Sequence, residues 1–355
     1  MALPRDILDI QTIYKEPAVE PYERGRQVLA RYPNARRIVV PSHNDIPTLY
    51  GNEGNAEDWL RIKQHTLVLG VKKSMSMRPN ERSSNFIAPS TSNGCAMACA
   101  YCYVPRRKGY ANPITVFVNI EQICAALARH ARRQGVKPAA DQVDAKLWVY
   151  DLGENGDLSV DALVSDNVRD LIATFRDIPN AKGSFATKYV NHDLLGYDPQ
   201  KKTRIRFSLM PEPVAQVVDV RTSSIGERIA AVNDFVDAGY EVHINFSPVI
   251  VYDSWEVDYI ELFKKLDDTL SSTAKEQLKA EVIFLTHNAA LHEVNLRWHP
   301  RAEDWLWRPE LQQKKLSQNG MWNLRYKVHE KRRYLESFLG ALRRTLPGCE
   351  VRYAF

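Results

Sequence analysis

Apolar and polar positions change period several times along this chain of 355 residues, and each change marks an element. "NIEQICAALARHARRQG" (119–135) spaces its apolar residues three and four apart, the stripe of one helix face, and Gly135 ends it. "SIGERIAAVNDFVDAG" (224–239) repeats that period. It opens with Ser224 and Glu227 at capping-box spacing and closes at Gly239. "VDALVSDNVRDLIATFRD" (160–177) reads as one further amphipathic helix. Between the helices, "AKLWVYDL" (145–152) is a continuous apolar run, as expected of a strand buried on both faces. "GSFATK" (183–188), "TRIRFSLM" (203–210), "YEVHINFSPVI" (240–250) and "AEVIFLTH" (280–287) read as further strands. "NFIAPST" (85–91) reads as the strand leading into the segment that follows it.

Strands alternating with helices predict an α/β fold with parallel strands and right-handed crossovers. A partial (β/α)6 barrel fits the count. In such folds the site lies at the C-terminal ends of the strands. There the chain places "LGENGD", "TKY", "SLM" and the stretch "GCAMACAYCY" (94–103). Residues 1–80 are less regular and read as an N-terminal extension packed on the barrel, with "ARRIVVPSHND" as a strand and turn. The barrel is assigned to 81–296 and a basic, aromatic hairpin and helix to 297–355. No internal repeat or low-complexity tract interrupts this order.

"GCAMACAYCY" holds three of the chain's five cysteines, Cys95, Cys99 and Cys102, at spacing C-x3-C-x2-C. A disulfide scaffold is a poor explanation. The chain is long enough to bury a core without staples, and an odd cysteine count suits a reducing compartment. The opening "MALPRDILDIQ" has no apolar core of a signal peptide, and no apolar run is long enough to span a bilayer. The expected location is therefore cytoplasmic, with no membrane partner. Structural zinc wants four ligands, usually two close pairs. Here no second pair follows, although a distant histidine could complete a zinc site. Three clustered thiolates are better matched to a [4Fe–4S] cluster with one iron left open. The small residues Ala96, Ala98 and Ala100 let the loop wrap closely.

This spacing, with an aromatic residue before the last cysteine, resembles the radical SAM superfamily. Within it the chain resembles the spore photoproduct lyase family, through "YCY" after the second cysteine, "FATKY" (185–189), "TRIRFSL" (203–209), "ERIAAVNDFVDAGYEVHINFSPVI" (227–250), "VIFLTH" (282–287) and the ending "PGCEVRYAF". The resemblance covers roughly residues 30–355. It implies a radical SAM barrel, a cluster on Cys95, Cys99 and Cys102, S-adenosylmethionine as second cofactor and an external electron donor. It also implies a 5′-deoxyadenosyl radical, the hard chemistry being the cofactor's.

The resemblance assigns Lys188 and Ser208 to cofactor binding, and Tyr101 and Tyr103 to hydrogen-atom relay. Lysine pairs with a carboxylate and serine bonds a polar group. Their plain alternatives are a solvated lysine, a strand-end serine and aromatic packing. The Gly-Glu step at Glu154 resembles the turn that holds the methionine amino group, although "GENGD" is also an ordinary turn. One departure stands out. Glu154 aligns where the family keeps a hydrogen-donating cysteine, and a carboxylic O–H is too strong a bond to replace a thiol. Cys124, on a helix, and Cys349, at the far end, are no obvious substitutes. The spore-photoproduct reaction itself is therefore expected to be inefficient here.

Charge adds a partner. The chain carries a net +5, yet residues 297–355 hold 13 Lys/Arg against 6 Asp/Glu, a local +7. Four of the seven tryptophans lie in the same segment: Trp298, Trp305, Trp307 and Trp322. Basic residues between aromatics hold phosphates and stack on bases. "KKLSQNGMWNLRYK" reads as a hairpin turning at Asn319-Gly320 with a type I′ signature. Lys314, Lys315, Trp322, Arg325 and Tyr326 are its candidate contacts with DNA or another nucleic acid. "HEKRRYLESFLGALRRTL" reads equally as a solvated basic helix. The leading function is a radical SAM enzyme acting on a nucleic-acid base, a DNA photolesion foremost. The alternatives are a radical SAM enzyme for a small molecule or peptide, and a non-enzymatic iron–sulfur protein that binds nucleic acid.

Overall fold

Parallel strand pairing organises both compact units of the computed structural model, which describes residues 7–50, 56–102, 104, 108–316, 320 and 322–355. The first unit comprises Met1–Ala98, Tyr103–Ile205 and Asp237–Glu241. The second comprises Cys99–Cys102, Arg206–Val236 and Val242–Phe355.

In the first unit, one sheet runs Arg36–Val39, Thr12–Lys15, Thr66–Gly70, Thr115–Phe117, Ser92–Asn93. Its first four strands are parallel and the last pairs antiparallel. Every residue of Thr66–Gly70 is buried, as a strand covered on both faces requires. The early part of the chain is thus more regular than its sequence indicated. Strands Thr12–Lys15, Arg36–Val39 and Thr66–Gly70 are only four or five residues long; charges such as the buried Lys15 mask the first, whereas Thr66–Gly70 is a short apolar run, "TLVLG", that the sequence reading missed. The anticipated strand at "ARRIVV" forms at the sheet edge, largely exposed. A second set of strands joins Arg78–Pro79, Phe86–Ile87, Trp148–Asp151 and Ala181–Thr187.

Helix Ile120–Gln134 ends at Gly135 as its period predicts, with Gly135 at φ +63°. "VDALVSDNVRDLIATFRD" is two helices instead of one, Leu158–Asp161 and Asn167–Arg176. Two side chains divide it. Asp157 accepts the amides of Ser159 and Val160 and so starts a turn early. Asn167 donates inward to the carbonyls of Thr91 and Phe117, which pulls the second start into the core.

In the second unit, Glu241–Val249 pairs parallel with Lys279–Phe284, which pairs parallel with Glu350–Ala354. Helix Ile225–Asp237 opens with the anticipated reciprocal cap. Ser224 N–H donates to Glu227 Oε2 (2.7 Å) and Glu227 N–H to Ser224 Oγ (3.2 Å). Helices Trp255–Thr269 and Val328–Thr345 bring Tyr259, Phe263 and Phe338 together with Phe246, centroids 5.0 to 6.3 Å apart. "AEVIFLTH" is not one strand. It breaks at Leu285, and Thr286–His287 pairs antiparallel with Trp322–Tyr326, which pairs in turn with Gln312–Leu316.

Candidate active site

The cysteine loop leaves strand Ser92–Asn93 and returns at Thr115–Phe117, and those two strands pair with each other. Gly94 makes the exit. Its φ is +84°, and a Cβ there would lie 2.4 Å from the Pro113 carbonyl oxygen, so only glycine serves. Gly94 N–H donates to the Asn155 carbonyl (2.9 Å), and Asn155 Nδ2 to Ser90 Oγ (2.8 Å). Ser92 Oγ bonds the Asp161 carboxyl. The "LGENGD" turn is thereby fastened to the strand that delivers Cys95. Lys63 Nζ donates to the Cys95 carbonyl (2.8 Å).

Asp157 ties the next strand end to the same turn. It accepts the Thr187 hydroxyl (2.8 Å) and the Lys188 N–H (3.1 Å). Lys188 directly follows strand Ala181–Thr187 and is half-buried. Glu154 follows strand Trp148–Asp151 and forms an ion pair with Arg78. Both lie at the strand ends where the sequence located them.

Burial pushes the Asp161 carboxyl up to about 8, helped by the neighbouring Asp157 charge and opposed by the Ser92 hydrogen bond. The folded chain therefore keeps a proton that the unfolded chain releases from about pH 4 upward. Stability from this group is full below that point and falls as pH rises toward about 8. Asp161→Asn is expected to flatten this part of the denaturation-midpoint profile. An unchanged profile would show that Asp161 is ionised in the folded protein.

Within the second unit, Cys102 N–H donates to the Cys99 carbonyl (3.1 Å), a tight turn. Ala100, between them, is held twice. Its N–H donates to the Val218 carbonyl (2.9 Å), and its carbonyl accepts Asn295 Nδ2 (2.7 Å). Asn295 Nδ2 also donates to Glu303 Oε1 (2.6 Å), while Glu303 Oε2 meets His287 Nε2 (3.1 Å) and His292 Nδ1 (2.5 Å). Asn295→Ala is expected to lower stability by about 1–3 kcal/mol, since it strips the donor from a buried carbonyl and a buried carboxylate. Iron bound per chain should fall with it. A urea midpoint and iron content both like wild type would show that the contact holds nothing in place.

Tyr101 donates its hydroxyl to Asp219. Asp219 pairs with Arg228 (2.9 Å), and Arg228 Nη1 donates to the Ser208 carbonyl (2.7 Å). Tyr101 and Ser208 are thus joined through two residues that the sequence reading missed. Arg228 left a signal. It falls on the stripe of Ile225, Ile229 and Val232, where a charge needs a buried partner. Loss of surrounding water, then the Asp219 charge, raises the Tyr101 pKa well above the ordinary tyrosine value, so the phenol stays protonated. Ser208 closes strand Thr203–Ser208, buried, with Oγ 3.4 Å from Asn245 Nδ2. Tyr103 lies outside the described residues.

The loop suits an iron–sulfur cluster by its donor chemistry. None of the three cysteines is tied up in a disulfide, and Ala96, Ala98 and Ala100 are buried beside them, offering no competing ligand.

The hairpin register pairs Leu316 with Trp322, and the anticipated turn at Asn319-Gly320 falls on Asn319, which lies outside the described residues. Two of the expected contact residues are otherwise engaged. Tyr326 is buried, and its hydroxyl accepts the Val251 N–H (2.9 Å), so it supports the hairpin from beneath. The Arg325 guanidinium lies over the Phe355 ring (4.7 Å). Lys314 and Lys315 are exposed, as are the paired Leu316 (53 %) and Trp322 (64 %). The other C-terminal tryptophans pack on neighbours: Trp305 on Tyr252, Trp307 on His292, and Trp298 on His299.

The family model of spore photoproduct lyase matches residues 8–355. The chain is similar to the spore photoproduct lyase of Bacillus subtilis strain 168, 27% identical over 276 residues and 77% of each chain. It is 26% identical over 274 residues, again 77% of each chain, to that of Clostridium acetobutylicum. A solved spore photoproduct lyase variant with bound AdoMet and dinucleoside spore photoproduct superposes with a TM-score of 0.88 at 22% identity, covering 99% of this chain and 100% of that one. That likeness establishes the fold, the partial barrel anticipated from strand–helix alternation.

Proposed function

Because the chain belongs to the spore photoproduct lyase family, we propose that it is a radical SAM enzyme acting on a photolesion in DNA. The observation that carries the proposal is the three-thiol loop, in which Lys63 bonds the Cys95 carbonyl, Asn155 accepts the Gly94 N–H and Asn295 bonds the Ala100 carbonyl. Cys95, Cys99 and Cys102 would hold the [4Fe–4S] cluster, which supplies the electron for reductive cleavage of S-adenosylmethionine after an external donor reduces it. Lys188 and Ser208, at successive strand ends, are the proposed cofactor contacts. A reducing compartment such as the cytoplasm suits such a set of thiols. Among the described residues no helix is long and apolar enough to cross a membrane.

Hydrogen return is where this chain differs from a thiol-dependent lyase. Glu154 has no S–H to offer. Cys124 and Cys349 have pKa values raised by burial to about 11 and about 12, as thiols enclosed by packing do. Tyr101, kept neutral and bonded to Asp219, is the proposed relay in this site. At the hairpin, the exposed Leu316–Trp322 pair with Lys314 and Lys315 fits a wedge against stacked bases beside phosphates.

Anaerobic incubation of the reconstituted enzyme with S-adenosylmethionine, reductant and ultraviolet-irradiated DNA tests the reading. Mass spectrometry should show a photolesion disappearing as 5′-deoxyadenosine forms. Formation of 5′-deoxyadenosine with every photolesion intact would overturn DNA as substrate while leaving the cofactor assignment standing.

A further inference from the structure

We propose that the second unit binds one divalent transition-metal ion, zinc by preference, through His287 Nε2, His292 Nδ1 and Glu303 Oε2. Among the described residues these three side chains form a ligand set, with donor atoms all within 4.8 Å of one another. Small side-chain rotations would set all three on one ion at about 2.0–2.2 Å. His287 closes the short strand Thr286–His287, His292 lies in helix Ala289–Trp298, and Glu303 lies in helix Pro300–Leu306. Three elements thus converge on one point.

His287 is fully buried and Glu303 is 5 % exposed. A carboxylate so placed needs a cation or several donors. Its Oε2 faces both imidazoles, 3.1 Å from His287 Nε2 and 2.5 Å from His292 Nδ1. Its Oε1 accepts Asn295 Nδ2 (2.6 Å), which orients the carboxylate as an outer support does at metal sites. The Trp307 ring stacks on His292, centroids 3.9 Å apart, and meets His287 edge-on at 6.0 Å. The same indole therefore holds both imidazole planes. The His292 side chain is 16 % exposed, which gives an ion its way in. Two imidazoles and one carboxylate suit zinc, which needs one water to complete four ligands, where an octahedral iron needs three.

The plain alternative is a hydrogen-bonded trio, each imidazole donating an N–H to Glu303 Oε2. Ligation moves the His287 proton to Nδ1, which is buried without a partner. That is one unmade hydrogen bond against three metal–ligand bonds, and the ligand bonds are the larger effect. Thr286–His287 pairs with the hairpin strand Trp322–Tyr326, so the ion fastens the base of the hairpin to two helices.

Zinc is added anaerobically to the full-length, cluster-loaded protein, the excess is removed by gel filtration, and metals are counted per chain. Wild type should keep one zinc with its iron unchanged. X-ray absorption at the zinc edge should show nitrogen and oxygen neighbours at about 2.0–2.2 Å and no sulfur at about 2.3 Å. His292→Ala, at the exposed edge of the site, should keep its fold and its iron but retain no zinc. Glu303→Gln should weaken zinc binding by more than the roughly ten- to hundredfold that loss of an outer support costs. Its amide can still bond Asn295 and the imidazoles, so a hydrogen-bonded trio would survive that change. Zinc should also raise the thermal midpoint of wild type and leave that of His292→Ala unmoved. Wild type that keeps no zinc, zinc gained only as iron is lost, sulfur around the zinc, or equal zinc in wild type and both variants would each overturn the proposal. A protein that takes up no iron yet keeps one zinc without sulfur neighbours would support this site and overturn the cluster assignment.

Discussion

Cys99→Ala protein, reconstituted anaerobically with iron and sulfide, is expected to show no [4Fe–4S] absorbance and to form no 5′-deoxyadenosine. Cys99 is the middle thiol of the loop and is buried between Ala98 and Ala100. An alanine there matches both neighbours in size, so the chain should fold, and the loss should be read as a lost ligand. Two thiols cannot hold three corners of the cluster. Cys124→Ala is the matched control. That thiol sits on helix Ile120–Gln134 with its pKa raised to about 11, so it offers little thiolate as a ligand. Its removal should leave iron content and cofactor cleavage at wild-type levels. A Cys99→Ala protein that still cleaved the cofactor would refute the ligand assignment.

The largest expected loss of stability is at Glu281. This carboxylate is fully buried on strand Lys279–Phe284 and faces two guanidiniums, Arg206 Nη1 at 3.0 Å and Arg352 Nη2. Both arginines are themselves buried. Glu281→Gln keeps the shape but removes the only negative charge of this trio. It leaves two positive charges in a low-dielectric interior, at about 3–5 kcal/mol. The urea midpoint should fall by a corresponding amount without a change in slope. Replacing all three residues by apolar side chains of similar volume should recover much of the loss, because the buried charges then vanish together. A Glu281→Gln midpoint equal to that of wild type would show that water reaches the pair and screens it.

These two sites were unequally visible in the chain. The cysteine spacing is a local property, and a cluster ligand set within eight residues needs no tertiary information. The Glu281 trio joins residues 71 and 75 positions apart. "TRIRFSLM" reads as a strand, yet nothing local says which carboxylates receive its arginines. Arg204 turns to Glu241 and Asp144, whereas Arg206 turns to Glu281. Likewise Glu154 was legible as a strand-end residue, but its partner Arg78 lies 76 positions away.

Local order was written in short-range terms: the 3.6-residue stripe of Ile120–Gln134, the Ser224–Glu227 cap, the glycine stops at Gly135 and Gly239, and the thiol spacing. Each depends on groups within one or two turns of each other, so periodicity and capping chemistry suffice to predict it. The tertiary structure alone decided the short strand Thr12–Lys15 of the first sheet, the split of 158–176 into two helices and the inward turn of Tyr326. It alone tied Ala100 to Asn295, 195 positions on, and Tyr101 to Asp219, 118 positions on. The physical reason is the same in each case. A buried polar group must find a partner wherever the fold delivers one, and that choice is made by the packing of distant segments, which no local pattern encodes.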